Sequence, residues 1–236
     1  MKNTTVVSNN IKYGIDVSHH NGKINWPEVA KGNNPKIEFV FTKATEGDSF
    51  VSPTFAENWG AISETKLTNN KGAYHFYKTN KGAEEQAKHF SQTLESNKFD
   101  KEKDSWALDV ERNDGKLLQE EFAKDLTLFT SYMENKGFNA IPFIYTRTSF
   151  WNKELGASGK DLMSKCHLWI SRYYKDTGQV PPEKDDPGEL PSGAPDWSVW
   201  QFTSKGHIEG ITSVVDLNVA SHDFDLKLGG ETYDGA

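Results

Sequence analysis

Cysteine is almost absent. Cys166 is the only one in 236 residues, so no disulfide can form within the chain and packing must hold the fold. One thiol leaves the redox compartment open, fitting a cytosolic product and an exported one alike. Long apolar runs are missing too: nothing approaches the roughly 18 residues of a membrane-spanning helix, and no membrane insertion is expected. Met1 to Asn10 is polar, with one lysine and no apolar stretch, and does not read as a secretory signal. Positive charge is in deficit, with 27 Lys and Arg against 34 Asp and Glu, a formal net charge of −7. That argues against nucleic acid as a partner, because phosphate backbones are bound by basic surfaces. Lys43-Ala-Thr-Glu-Gly47 lacks the glycine pattern of a phosphate cradle. His19 and His20 have no further His, Cys or Asp at metal-ligand spacing, so neither a metal nor a cofactor is expected. There is no internal repeat and no low-complexity tract.

Aromatics are plentiful, at 12% of the chain with seven Trp, eight Tyr and fourteen Phe. Eight short apolar runs read as strands: Tyr13–Val17, Glu38–Lys43, Gly72–Tyr77, Trp106–Glu111, Ile141–Thr146, His167–Ser171, Ser198–Phe202 and Val214–Asn218. Between them Thr54–Thr65, Glu84–Asn97 and Leu117–Lys136 carry apolar residues at helical spacing. In the last, Leu118, Phe122, Leu126, Phe129 and Met133 form one stripe, and Gly137 supplies the stop. Strand–helix alternation implies a parallel sheet, and eight strands in this length favour a closed α/β, TIM-like barrel. Helices thin out after about residue 163, leaving the C-terminal third depleted of them. Asp176 to Asp196, rich in Pro, Gly and Asp, reads as an irregular loop. The expected layout is a flexible segment 1–11, one barrel domain 12–228 and a tail 229–236.

The chemistry centres on Leu108-Asp-Val-Glu111. Residues two apart on a strand face the same way, so Asp109 and Glu111 project together. Two neighbouring carboxyls repel when ionised, which raises the pKa of one or both. A raised carboxyl can protonate a glycosidic oxygen near neutral pH while its partner stays ionised. By itself the pair could be no more than an exposed acidic strand end. The apolar approach Trp106-Ala-Leu108 favours a site, because it puts the acids at the mouth of a buried strand. Asp16 could close an Asx-type turn with the Ser and Asn-Gly that follow, or belong to the site. Asp216 lies within an apolar strand, where a carboxyl is costly unless paired or functional. The barrel strands end in Asp16, Lys43, Tyr77, Asp109 with Glu111, Tyr145, Gln201 and Asp216, on the rim where barrel active sites lie. Tyr74, Tyr77, Tyr145, Trp169, Tyr173 and Trp200 could fill the core or stack on sugar rings. No Ser-His-Asp or Cys-His nucleophile is evident.

In order, these segments resemble glycoside hydrolase family 25, the Ch-type lysozymes or N-acetylmuramidases. The resemblance is carried by Gly14-Ile-Asp-Val-Ser18, Gly22-Lys-Ile-Asn-Trp26 and Phe39-Val-Phe-Thr-Lys-Ala-Thr-Glu-Gly47. It continues through Gly72-Ala-Tyr-His-Phe76, Leu108-Asp-Val-Glu111, Pro142-Phe-Ile-Tyr145, Leu168-Trp-Ile-Ser-Arg-Tyr173, Trp200-Gln-Phe202 and Val215-Asp-Leu-Asn218. It implies a modified barrel of five β/α units followed by three strands. It implies cleavage of the β-1,4 bond between N-acetylmuramic acid and N-acetylglucosamine in bacterial peptidoglycan, by a monomer acting in the cell wall or periplasm. Glu111 matches the general acid, Asp109 the second carboxylate, and Asp16 and Asp216 the two further acids. Tyr74, Tyr77, Tyr145, Trp169, Tyr173 and Gln201 match substrate contacts. Asp109 would act as a nucleophile or orient the substrate's 2-acetamido group, and two acids on one strand favour the second. Asn25 stands where the family more usually has Asp, and no wall-binding repeat follows the barrel. A delivery or immunity partner is left open. The competing readings are a chitinase-like barrel, whose longer run of acids is absent before Asp109, and a non-catalytic glycan-binding barrel.

Overall fold

The computed structural model describes residues 12–174 and 186–221. The expected segment 1–11, the expected tail 229–236, the end of the expected domain beyond Ser221 and part of the expected loop lie outside the described residues. Each of the eight anticipated runs forms a strand: β1 Lys12–Val17, β2 Ile37–Glu46, β4 Lys71–Phe76, β5 Ser105–Asp109, β6 Phe143–Thr146, β7 His167–Ser171, β8 Val199–Gly206 and β9 Val215–Ala220. A two-residue strand, β3 Phe50–Val51, hangs antiparallel on β2. The eight close into a ring in the order β1-β9-β8-β7-β6-β5-β4-β2, sealed by β1 against β2.

Helices α1 Trp26–Lys31, α2 Phe55–Ser63, α3 Ala83–Ser96 and α4 Gln119–Asn135 follow the first four ring strands, and α5 Thr148–Glu154 with α6 Lys160–Met163 follows β6. That makes five β/α units and then three strands, and no helix follows Met163 among the described residues. On α4 the expected stripe is buried at Phe122, Leu126, Phe129 and Met133. Leu118 departs from it: it precedes the first turn and is 70% exposed.

The ring is not wholly parallel. β9 runs antiparallel to both β8 and β1. The reason is length, since a parallel return needs a crossover of about a dozen residues or more. Residues 207–214 carry no helix to make one.

Alternation decides which side chains fill the interior. Phe39, Phe41, Ala107, Phe143, Trp169, Val199 and Ala220 pack together inside the ring, under Tyr74 and Tyr145. The alternate residues, among them Ile15, Val40, Ala73, Trp106, Leu108, Ile144, Leu168, Ile170 and Leu217, face the helices and loops outside. Phe41 lies with its ring centroid 4.6 Å from Trp169 and 5.2 Å from Phe143, which leaves its ring little room to move. Glycines make space for these rings: a Cβ at Gly14 would fall on the Phe39 ring, and one at Gly72 on the Phe41 ring. Gly72→Ala should therefore destabilise the fold by about 1–3 kcal/mol, the usual range for an overpacked core. Gly72→Ala with Phe41→Leu should recover part of the loss. Denaturant titration checks both, and a neutral single substitution would show that the interior has slack.

Candidate active site

The same alternation that fills the interior brings polar side chains to one rim. Moving up the inward face, Gly14 is followed by Asp16, Phe41 by Lys43, Gly72 by Tyr74, Ala107 by Asp109, Phe143 by Tyr145 and Val199 by Gln201. They border a cavity of about 360 Å³ together with Glu111, Trp169, Tyr173 and Asp216. All four acids singled out from the sequence thus meet in one cleft. So do five of the six expected contact residues.

Tyr77 is the exception. It stands three residues from Tyr74, so on a strand the two point to opposite sides. Tyr77 is 1% exposed and packs between Phe122 and Phe129 of α4, with ring centroids 6.1 and 6.0 Å away. It belongs to the core behind the barrel and not to the cleft. Trp169 is 2% exposed and serves as the floor, its ring centroid 5.0 Å from that of Tyr145.

Two of the acids reach the rim by routes the sequence pattern does not state. Glu111 lies beyond the last residue of β5, yet the backbone stays clamped between them. The Val110 N–H donates to the Tyr145 carbonyl at 2.9 Å, and the Val110 carbonyl accepts from Thr146 Oγ1 at 2.8 Å. Val110 is held outward, and Glu111 falls back on the cleft face. Asp216 sits near the start of β9 and not at its end. Because β9 runs the other way, its start is at the active rim, and Asp216 is in register with Asp16.

Hydrogen bonds fix this rim. Gln201 Oε1 accepts from the hydroxyls of Tyr145 at 2.9 Å and Tyr173 at 2.6 Å, with Ser171 Oγ at 3.3 Å. Hydroxyls can donate or accept, so it is the Asp16 carboxylate on the other side that orients the amide. Gln201 Nε2 must then point the other way, where it donates to Asp16 Oδ2 at 2.8 Å. The same Asp16 oxygen accepts from Asn218 Nδ2 at 2.8 Å, and Asn218 Oδ1 accepts from Trp169 Nε1 at 2.7 Å. Asp16 is tied to β7, β8 and β9 through this network.

Burial dominates the electrostatics. It pushes the Asp109 carboxyl well above the ordinary range, the charge of Glu111 adds to the effect, and Lys43 opposes it. Burial likewise raises Asp216 to about 8, with Asp16 and Glu111 adding repulsion. Asp16 is raised to about 6 by burial, against the pull of its two amide donors. Tyr74 stands in the field of all four acids and is held protonated, first by burial and then by Asp16 and Asp109. Asp109 Oδ1 is buried and has no hydrogen-bond partner. An unpaired acceptor at that depth is uncommon and asks for a donor. The set can hold a proton beside an ionised carboxylate, which is what acid–base chemistry at an acetal oxygen requires. Among the described residues no group of three or more His, Cys, Asp or Glu side chains could hold a metal ion, and no helix is long and apolar enough to cross a membrane.

Among the rim side chains that the sequence pattern does not mark as functional are Asn218 and Glu46. Asn218 shares a strand face with Asp216, two residues away, and that spacing could have revealed it. Lys43 and Glu46 both border the cleft and form an ion pair at 2.6 Å. They are three apart and should face opposite ways. A register shift between Lys43 and Thr45 turns the strand so that both look inward, the effect expected of a β-bulge.

The family model for glycosyl hydrolases family 25 matches residues 15–211. The chain is 32% identical over 209 residues to the uncharacterized protein YegX of Escherichia coli strain K12, covering 88% of this chain and 68% of that one. It is 28% identical over 214 residues to lysozyme M1 of Streptomyces globisporus, covering 87% and 66%. Its fold is similar to the crystal structure of the bacterial lysozyme from Streptomyces coelicolor, with a TM-score of 0.75 at 26% identity, covering 95% and 98%.

Asp216 gives the rim a measurable signature. Its carboxyl keeps a proton up to about pH 8 in the folded chain, but only to its ordinary 3.8 when unfolded. Between those values the native state binds more protons, so the stability this group contributes falls as pH rises. Asp216→Asn removes that dependence. Its melting temperature should exceed that of the unaltered protein by more at pH 8 than at pH 5, at roughly 2–4 °C for each kcal/mol relieved. The same difference at both pH values would mean that Asp216 titrates normally.

Proposed function

Because the chain belongs to glycosyl hydrolases family 25, we propose that it is an N-acetylmuramidase. It cleaves the β-1,4 bond between N-acetylmuramic acid and N-acetylglucosamine in bacterial peptidoglycan, acting in the cell wall or periplasm as a monomer. The observation that carries this reading is Asp109: a buried carboxyl beside Glu111, its Oδ1 without a donor, in a cleft bordered by three tyrosines. A 2-acetamido N–H is the donor such an oxygen lacks.

Glu111 is the general acid. It is half-buried at the rim, where a glycosidic oxygen and solvent can both reach it. It gives its proton to the leaving oxygen as the bond to the anomeric carbon breaks. The acetamide carbonyl oxygen forms the new bond to that carbon, and the acetamide nitrogen gains positive charge. Asp109 accepts the N–H and meets that charge. A carboxylate in so dry a place is destabilised in the free protein, and the contact strengthens as charge develops, which is where catalysis gains. Glu111 then takes a proton from the water that opens the ring intermediate. Asp16 holds negative potential under the developing cation, Asp216 beside it stays protonated below about pH 8, and Gln201 locks the hydroxyls of Tyr145 and Tyr173 in place for the sugar. Asp109 and Glu111 lie on the same strand line, which supports assistance by the substrate over direct attack from the opposite face.

Glu111→Gln should lower kcat on purified peptidoglycan by ~10²–10⁴-fold, the usual contribution of general acid catalysis, while the protein still binds the polymer. Asp109→Asn should lower kcat with little change in KM, and a thiazoline analogue of the cyclised sugar should bind the unaltered protein. Mass analysis of the released fragments should find muramic acid at the reducing ends. Reducing-end glucosamine would overturn the assignment of the bond, and faster hydrolysis of chitin would favour a chitinase-like activity. Full lysis by Glu111→Gln would refute its role as the acid.

A further inference from the structure

Arginine is rare in this chain. Only Arg112, Arg147 and Arg172 occur among its 27 lysines and arginines, and all three border the cleft. Arg112 flanks the catalytic cavity. Arg147 and Arg172 line a second cavity of about 720 Å³, which shares Glu111, Tyr145 and Tyr173 with the first. A molecule that uses lysine for its other cations and places each arginine here is using what lysine lacks. The planar guanidinium offers paired N–H donors that match a carboxylate.

The cavity is a built one. Arg172 is held at both ends of its peptide by β8, its N–H donating to the Gln201 carbonyl at 3.0 Å and its carbonyl accepting from Trp200 Nε1 at 2.8 Å. Its guanidinium lies 5.0 Å from the Tyr174 ring centroid, which limits its swing. Arg147 leads into α5. The opposite wall is fastened to α5 by Thr148 Oγ1, donating to the Glu189 carbonyl at 2.6 Å, and by the Ser192 N–H, donating to Asn152 Oδ1 at 2.8 Å. The second bond leaves the Asn152 N–H₂ as a further donor. The carboxylates of Glu111 and Glu189 also border this space. Neither is within 4 Å of a guanidinium, and among the described residues neither arginine has an ion-pair partner.

We propose that this second cavity binds the peptide stem of the muramyl residue through its free carboxylates, with Arg147 and Arg172 as the recognition pair. The inference rests on the muramidase reading and deepens it. If the acetamide on C2 of that sugar meets Asp109, the lactyl–peptide substituent on the adjacent carbon, C3, must leave the cleft close by. Asp109 is in register with Tyr145, and Tyr145 forms the wall common to both cavities. A bare sugar would not fill the second space, whereas a short acidic peptide would. The protein would thus prefer glycan that still carries its stems.

The test compares intact peptidoglycan with the same glycan stripped of peptide by an amidase, which keeps the lactyl carboxylate. The ratio of kcat/KM on the first polymer to that on the second should fall about tenfold in the Arg147→Ala, Arg172→Ala double variant, a change of about 1.4 kcal/mol carried mainly by KM. Arg147→Lys with Arg172→Lys should restore only part of the ratio. An unchanged ratio would overturn the proposal, and an equal loss on both polymers would move the carboxylate to the lactyl group and overturn it for the stem. Retention of the Glu111→Gln protein on the two insoluble polymers reads the subsite without turnover. It should be tighter on the intact one, and the arginine substitutions should abolish the difference. Failure of the unaltered protein to cleave either polymer would instead overturn the muramidase reading, while the retention difference would still report on the arginines.

Discussion

A closed eight-stranded ring has one inside, and every second residue of each strand must either fill it or rise to its mouth. Here two phenylalanines occupy the lower interior, and the neighbouring strands answer with glycines at positions 14 and 72. The polar residues follow one step further up. Asp16 is two residues beyond Gly14, Tyr74 two beyond Gly72, and Asp109 two beyond Ala107. The active rim is therefore a consequence of how the floor is packed, and a shift of one residue in any strand would turn its functional side chain outward. This is why the stability of the floor and the geometry of the acids cannot be varied independently.

Above that floor the molecule accepts an electrostatic burden. Three carboxyls are pushed upward by burial and by one another, in a chain already negative overall. Nothing in the packing requires them. Isosteric amides would fill the same spaces with less repulsion, and strongly perturbed carboxyls gathered in a cleft are the mark of a functional site. Asp16 is the best supported of the three, held by two amides, and it anchors the rim. Asp109 has no such amide donors, and its Oδ1 is buried without a partner. The contrast fits the proposed division of labour, with Asp16 holding the rim and Asp109 meeting the substrate.

Much of this is legible in the sequence, because period-2 alternation and helical stripes are strong signals in a chain with a single cysteine and so no internal disulfide to complicate them. The eight strands, the three long helices and the four acids could all be read. The failures share a cause. Tyr77 shares its chemistry with Tyr74, but their spacing of three places them on opposite faces. Asp216 reads as a strand end only on a parallel last strand, and the segment before it has no room for a crossover helix. The inward turn of Glu46 depends on a bulge, which no local pattern announces. Leu118 fitted the helical period but fell one residue outside the helix. Direction and phase, more than composition, were what had to be seen in three dimensions.

Charge completes the picture. The catalytic cavity is acidic and would repel an anionic polymer if charge alone governed approach. Sugar rings carry no charge, however, and the substituents that do are attached at defined carbons. A site can therefore concentrate carboxylates under the bond to be broken and keep its guanidiniums for the side from which the anionic substituent departs. Tyr145 stands between the two regions: its backbone accepts from Val110 beside the acids, its hydroxyl donates to Gln201, and its ring forms the wall shared with the arginine cavity. Lysines could supply the positive charge but not the fixed fork, and the backbone bonds that hold Arg172 would have little purpose for a mobile ammonium. On the proposed reading, the acidic floor and the arginine flank match the shape of an N-acetylated, peptide-bearing sugar, with one carbon presenting a neutral amide and the next an anionic chain.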